Sequence, residues 1–165
     1  MKVSIFTMNG GNGTISASLA LGKYLRNRGA ECSVIDFMKE VNPLGNVLTE
    51  IYNSLLRRDL RFASLYMELA HRFPFNDFEP ANALSRNRIL RLLEKEKPEV
   101  VVLICPWIID PVLQALRRKG GERPKVYTVV VDLGRGMTSS WFNKEVDYTS
   151  LPTRQARDFL KRFGL

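Results

Sequence analysis

Glycine and asparagine residues cluster immediately after the first apolar run of the chain. Gly10, Gly11 and Gly13 surround Asn12, and Thr14 follows them. Glycine lets a backbone turn sharply and brings its N–H groups close to a bound group, most often a phosphate or a carboxylate. The cluster therefore predicts a binding loop. Three interpretations stay open: the loop holds a nucleotide, it receives the acceptor of a sugar transfer, or it only closes a strand-to-helix turn.

The same stretch differs from the glycine fingerprint of dinucleotide-binding domains. That fingerprint is G-x-G-x-x-G, with an acidic residue at the end of the next strand. Gly11 and Gly13 supply the first two glycines, Ser16 stands in place of the third, and Asp36 lies near the expected acidic position. The match is incomplete, and no Gly-Lys-Ser/Thr follows that would indicate a P-loop.

Length and composition indicate a single globular domain with a basic surface. The 165 residues are 45% hydrophobic and 25% charged, which suits one domain over residues 1–165. The net charge of +8 favours an anionic partner, such as nucleic acid, anionic lipid or a phosphorylated ligand. A surface rich in lysine and arginine can also serve solubility alone.

Cysteine usage and hydropathy bear on the location of the protein. Cys32 and Cys105 lie in apolar runs without the spacing of a metal site or a disulfide framework, which indicates a reducing cytoplasm. No apolar run approaches the roughly 20 residues of a membrane-spanning helix, and no signal peptide precedes the first strand. We therefore expect a cytoplasmic protein that at most lies on a membrane surface.

Strand and helix signals alternate along the chain. The helical period of the apolar residues from Ile15 to Arg28 predicts a helix that Gly29 ends. Short runs this apolar are typical of strands buried on both faces of a parallel sheet. The four predicted strands are Lys2–Met8, Cys32–Phe37, Val100–Cys105 and Lys125–Val131. The pattern predicts an α/β, Rossmann-like parallel sheet with helices on both faces.

A long helical excursion is predicted between the second and third strands, over residues 38–99, because this segment is too long for one crossover helix. Helices are predicted over Val47–Arg58, Leu60–Phe73 and Asn82–Lys97. Phe62 and Tyr66 lie on one face of the second helix, and Arg57, Arg58 and Arg61 lie beside them in the sequence. This face either packs on the sheet or meets a lipid surface, since both need an amphipathic helix.

Several segments together resemble the N-terminal domain of the monogalactosyldiacylglycerol synthase and processive diacylglycerol glucosyltransferase family. The resemblance covers nearly the whole chain in the order of the family. The matching stretches are GGNGTISASLALGKYLRNRG, VIDFMKEVNPL, LLEKEKPEVVVLICP, KVYTVVVDLG and SSWFNKEVDYTSLPTRQARDFLKRFGL. Enzymes of this family pair two Rossmann-like domains, and their active site lies in the cleft between the domains.

The resemblance implies an acceptor-binding and a catalytic group. Gly10, Gly11 and Gly13 would line the acceptor side of the cleft, together with Pro43 of the segment Asn42-Pro43-Leu44 and with Trp141. Asp132, at the end of VVVDLG, would be the carboxylate in the cleft. The basic and aromatic residues of the excursion would face the membrane, namely Arg57, Arg58, Arg61, Phe62 and Tyr66.

Three histidines of the family pattern are absent. Thr14 stands where the family carries the proposed general base, Cys105 replaces the histidine of a His-Pro pair, and Gly136-Met137-Thr138-Ser139 replaces the third; the single histidine is His71. A threonine hydroxyl does not accept a proton at neutral pH as an imidazole does. Asp132 and Thr14 are therefore the candidate catalytic residues, with Asp132 the remaining base.

These observations predict the acceptor- and membrane-side domain of a glycolipid glycosyltransferase. It would transfer a hexose from a UDP-sugar to a diacylglycerol-type lipid, be peripheral on an anionic membrane, and need a second, donor-binding domain. We expect no tightly bound cofactor, no metal and no nucleic acid, and an inactive isolated chain. The alternative is a non-catalytic nucleotide- or anion-binding domain of the same fold, which the threonine at position 14 favours.

Overall fold

The computed structural model describes residues 1–9, 12–42, 79–132 and 139–161, together with residues 47, 50 and 54. The strands are β1 (Lys2–Thr7), β2 (Glu31–Asp36), β3 (Val100–Leu103), β4 (Lys125–Val129) and β5 (Tyr148–Ser150). The α-helices are α1 (Asn12–Asn27), α2 (Phe37–Glu40), α3 (Glu79–Glu96), α4 (Ile109–Lys119) and α5 (Arg154–Lys161). All five strands are parallel, in the order β2-β1-β3-β4-β5. The predicted Rossmann-like α/β fold is confirmed.

One face of the sheet is covered by α1. Leu21 and Leu25 of this helix pack against a cluster that contains Val3 and Ile5 of β1. The helix approaches β2 so closely at Gly22 that a Cβ there would lie 2.9 Å from Cγ2 of Val34. A glycine is therefore required at this position by packing.

The main hydrophobic core lies on the opposite face of the sheet. Ile89 and Leu93 of α3 and Val112 and Leu113 of α4 are buried there, against Phe6 and its neighbours. Helices thus cover both faces, as predicted, and strands between them must be apolar on both sides. β1 shows this directly, since every residue from Val3 to Thr7 is buried.

One strand, β5, and three helices, α2, α4 and α5, were not among the predicted elements. β5 is a three-residue edge strand with all residues exposed, so it lacks the buried apolar run that identified the other strands. Its place beside β4 is supported by ring stacking between Tyr127 and Tyr148, whose centroids lie 4.7 Å apart.

A carboxylate fixes the entry into β5. Asp147 accepts a hydrogen bond from the backbone N–H of Val126 at 2.8 Å and pairs with Arg123 at 3.0 Å. Burial raises the pKa of this carboxyl, but the Val126 N–H and the cations of Arg123 and Lys125 outweigh burial and hold the pKa below its usual value.

The excursion between β2 and β3 is described only at its ends. Asp36 ends β2 and caps α2, so the second predicted strand is one residue too long at Phe37. The third predicted helix corresponds to α3, which begins three residues earlier and ends one residue earlier than predicted. The predicted helices over Val47–Arg58 and Leu60–Phe73 lie almost entirely outside the described residues. The 38–99 excursion and the single domain over residues 1–165 stay predictions.

Candidate functional site

The strand order reverses direction between β1 and β3, which makes the carboxyl ends of these two strands the expected place for a binding crevice. The chain passes from β1 to β2 on one side, whereas β3 and β4 lie on the other side of β1. Open parallel sheets bind ligands outside the carboxyl ends of their strands at such a reversal. The segments after β1, β3 and β4 therefore form the candidate site.

A threonine closes the loop after β1. The Thr14 hydroxyl donates a hydrogen bond to the backbone carbonyl of Met8 at 2.8 Å. Ser18, which is buried, donates in turn to the backbone carbonyl of Thr14 at 2.7 Å. The Thr14 hydrogen is thus engaged in joining the two ends of the glycine loop. Its predicted catalytic role stays a prediction, and in this conformation only its oxygen lone pairs are available to a ligand.

Gly13 lies in the first turn of α1, and the fold does not require a glycine there. Its φ is not in the left-handed region, and a Cβ at this position would meet no atom of the described residues within 4 Å. The first turn of the helix carries no acidic side chain. No described side chain thus occupies the space beside Gly13 in the first turn of α1, which is the space an acceptor or an anion would use.

A carboxylate and an indole are joined after β4. The Trp141 Nε1–H donates a hydrogen bond to Oδ2 of Asp132 at 2.7 Å. Trp141 is 0% exposed, so its ring offers no surface to a ligand. The hydrogen bond from this buried ring orients the carboxylate from the side of the core. Oδ1 of the partly exposed Asp132 accepts no hydrogen bond from any residue that the structure describes. The arrangement presents one oriented carboxylate oxygen to a hydroxyl donor.

The predicted acceptor contact at Trp141 would act through Asp132, because the ring itself is buried. Sequence reasoning placed both residues in the site but did not predict their hydrogen bond. The two residues are nine positions apart, and no periodic pattern connects them.

Cys105 is not a substitute for the missing imidazole. It precedes the 3-10 turn Pro106–Ile108, and its side chain is buried. Burial raises the pKa of the thiol to about 11, although the backbone N–H groups of Trp107 and Ile108 lower it, and the nearby charge of Asp132 raises it further. The thiol is therefore neutral at physiological pH and acts as a packing group.

Trp107 is a residue of this edge that the sequence analysis did not single out. It is 45% exposed, between Cys105 and the buried Ile108. The sequence carries a weak signal, a Pro-Trp pair directly after a buried strand. A tryptophan that follows an apolar run gives no indication of whether its ring is inside or outside.

Asp36 is engaged in local structure. Its Oδ1 accepts hydrogen bonds from the backbone N–H groups of Met38 and Lys39, at 3.1 and 3.5 Å, and so caps α2. Its Oδ2 is buried without a hydrogen-bond partner among the described residues. The carboxylate is thus not presented to a ribose at the surface, which the dinucleotide interpretation of the glycine loop would need.

Several predicted site residues lie outside the described residues, and their roles stay predictions. They are Gly10, Gly11, Pro43, Arg57, Arg58, Arg61, Phe62 and Tyr66, and also His71. In the part of the chain that the structure describes, no three His, Cys, Asp or Glu side chains come together as metal ligands. Among the described helices, none combines the length and the apolar character needed to cross a bilayer.

The described residues define an α/β domain with a five-stranded parallel sheet, and the candidate site lies at the carboxyl ends of its strands. A family model described as "Monogalactosyldiacylglycerol (MGDG) synthase" matches residues 15–165. The chain therefore belongs to this family, as an N-terminal domain, and the predicted resemblance is confirmed.

Curated relatives carry the name processive diacylglycerol beta-glucosyltransferase. Those of Bacillus cereus, Bacillus cytotoxicus and Bacillus mycoides are each 25% identical to this chain over 170 residues. These matches cover 99% of this chain and 42% of each relative. The chain thus spans less than half the length of the curated relatives that it matches.

Proposed function

We propose that this chain is the acceptor-side domain of a glycolipid glycosyltransferase that transfers a hexose from a UDP-sugar to a diacylglycerol-type lipid. One observation carries the proposal: in a chain of this family, Trp141 holds Asp132 at the carboxyl ends of the strands, and no described residue donates a hydrogen bond to the second carboxylate oxygen. The donor would bind to a second domain, in the same or another chain.

The chemistry assigned to Asp132 is proton acceptance. The acceptor hydroxyl would donate a hydrogen bond to Oδ1 of Asp132 while its oxygen attacks the anomeric carbon of the hexose. The bond from that carbon to UDP breaks, UDP leaves, and the carboxylate receives the hydroxyl proton. The indole of Trp141 keeps the carboxylate oriented throughout, which limits the reorganisation that the reaction requires.

The glycine loop would receive the acceptor next to this carboxylate. Its closure by Thr14 and the open space at Gly13 support this assignment. The net charge of +8 and the arginine-rich, aromatic segment from Arg57 to Tyr66 support peripheral binding to an anionic membrane on the cytoplasmic side.

A non-catalytic anion- or nucleotide-binding domain is the second candidate. The observation that favours it is the first turn of α1, which combines an open glycine with no acidic side chain. The commitment of the Thr14 hydroxyl to Met8 agrees with it, because this position then has a structural role.

Sedimentation with vesicles tests the proposal. The chain is mixed with vesicles of neutral lipid, with and without anionic lipid and diacylglycerol, at low and high salt. We expect binding that anionic lipid strengthens and salt weakens, because exposed charges are screened over about 10 Å at 0.1 M salt. We also expect a further, salt-resistant gain from diacylglycerol.

Two variants make the assay specific to the site. D132N keeps the size of the side chain but removes its charge. This variant should lose most of the additional vesicle binding that diacylglycerol causes, while the additional binding caused by anionic lipid should remain. E31Q is the control, because it removes one negative charge at an exposed residue that pairs with Lys2 at the amino ends of β1 and β2, far along the strands from the candidate site. Absence of vesicle binding under every condition refutes the lipid assignment, and tight UDP or phosphate binding by the same chain supports the second candidate.

A further inference from the structure

Trp107 is presented rigidly to solvent at the same edge as Asp132. The turn is anchored at both ends, since Cys105, which precedes it, is 3% exposed and Ile108, its last residue, is 0% exposed, whereas Trp107 is 45% exposed. The turn Pro106–Ile108 packs against the turn Ser139–Trp141, which holds Asp132. An exposed large aromatic ring on an anchored backbone loses little entropy when it binds a ligand.

Two carboxylates lie close in sequence to these turns, and each accepts a side-chain hydrogen bond. One carboxylate oxygen of Asp132 accepts no hydrogen bond from the described residues. Asp110, in the first turn of α4, accepts a hydrogen bond from Nδ2 of Asn143 at 2.8 Å. A hexose ring matches both features. The C–H groups on one side of the ring pack on an aromatic face, and its peripheral hydroxyls donate to carboxylates.

We propose that Trp107 forms a platform for the hexose ring of a glycosylated lipid acceptor, with Asp132 accepting a hydrogen bond from that ring. The inference rests on the proposed function and extends it, because it assigns a subsite for an acceptor that already carries one sugar. Insertion of Trp107 into an anionic membrane is the competing use of an exposed tryptophan. Two carboxylates at these turns disfavour that use, since they repel the lipid head groups.

The tryptophan content of the chain provides a direct assay. The chain contains two tryptophans, and only Trp107 of the two is exposed, so acrylamide quenches chiefly its fluorescence. The probe is octyl β-D-glucoside below its micelle-forming concentration. The matched probe is 1-O-octylglycerol, which has the same alkyl chain and a glycerol head group without a ring.

We expect the glucoside to shift the emission to shorter wavelength and to protect the exposed tryptophan from acrylamide, and the octylglycerol to do neither. W107F should abolish the change, because only the buried Trp141 then emits. In saturation-transfer NMR, W107A should weaken binding of the glucoside ring by roughly three- to tenfold. Y24A is the control and should not, because Tyr24 is also an exposed aromatic residue, at 53%, but belongs to α1 and not to either of these turns.

The possible results separate this inference from the proposed function. Equal protection by both probes, or protection by anionic vesicles without any glycolipid, overturns the hexose platform in favour of an apolar or membrane contact. Diacylglycerol-dependent vesicle binding together with no effect of the glucoside on Trp107 overturns the inference and leaves the proposed function standing. Glucoside protection without vesicle binding supports the platform and refutes the membrane assignment.

Discussion

The hydrogen bond between Trp141 and Asp132 should contribute measurably to stability, and W141F tests it. Phenylalanine keeps an aromatic ring at a fully buried position but removes the indole N–H that donates to Oδ2 at 2.7 Å. A hydrogen bond to a charged group contributes about 1.5–3 kcal/mol. The smaller ring also leaves a cavity. Truncation of a buried tryptophan to alanine costs about 3–5 kcal/mol, and we assign about 1–2 kcal/mol of destabilisation to the part of that cavity which phenylalanine does not fill.

The expected loss for W141F is therefore about 2.5–5 kcal/mol in the free energy of unfolding. Urea unfolding followed by circular dichroism measures it without depending on tryptophan emission. In a chain of this size each kcal/mol corresponds to about 2–4 °C in Tm. W107F is the matched control, because it makes the same substitution at a half-exposed position, and it should stay within about 0.5 kcal/mol of the parent.

A double-mutant cycle with D132A isolates the hydrogen bond from the cavity. We expect the loss caused by W141F to be smaller in the D132A background by at least about 1 kcal/mol. A loss below about 1 kcal/mol in the parent background, or equal losses in both backgrounds, would refute the argument that the indole orients the carboxylate.

Three further predictions address the packing and titration of the domain. In urea unfolding, G22A should lose about 1–3 kcal/mol, because its Cβ would lie 2.9 Å from Val34 Cγ2. The added methyl group of G13A meets no described atom within 4 Å, so this variant should gain up to about 1 kcal/mol; the reverse order of the two variants would contradict the packing argument. D147N should lose about 1–2 kcal/mol at neutral pH. Because the folded-state pKa of Asp147 is depressed, this difference should disappear as the pH falls through that pKa, and a constant difference would contradict it. The raised pKa of Cys105, about 11, leaves about one thiolate in a thousand at pH 8, so iodoacetamide should not label this thiol before unfolding; labelling at the rate of a free cysteine would contradict its burial.

The same thiol gives a pH dependence at the alkaline end. The folded-state pKa of Cys105 lies above its ordinary value of 9.0, at about 11. Between these values the unfolded chain releases the proton first and binds fewer protons than the folded chain. The stability should therefore fall as the pH rises from about 9 to 11, and C105A should show a weaker decline.

The central strands and the first helix were predictable because local patterns suffice to identify them. β1 and β3 are short runs buried on both faces. β2 and β4 are more exposed, and β4 alternates buried and exposed residues, but their β-branched and aromatic residues still mark them as strands. β5 was not predictable in this way, because it is short, exposed and held in place by contacts with β4.

The amino-acid sequence by itself determined the parallel α/β class, the family, and the candidate residues Thr14, Asp132 and Trp141, because each depends on residue type and chain order. Only the tertiary structure decided what these side chains do with their polar atoms. Thr14 bonds to Met8, six residues away, and Trp141 bonds to Asp132, nine residues away. Each pair joins the two sides of a segment that follows one strand, β1 or β4. No single helical or strand period runs through such a segment, so the sequence pattern does not predict the contact. The tertiary structure likewise determines which tryptophan is buried: Trp141 lies in the core, and Trp107 lies at the surface of the candidate site.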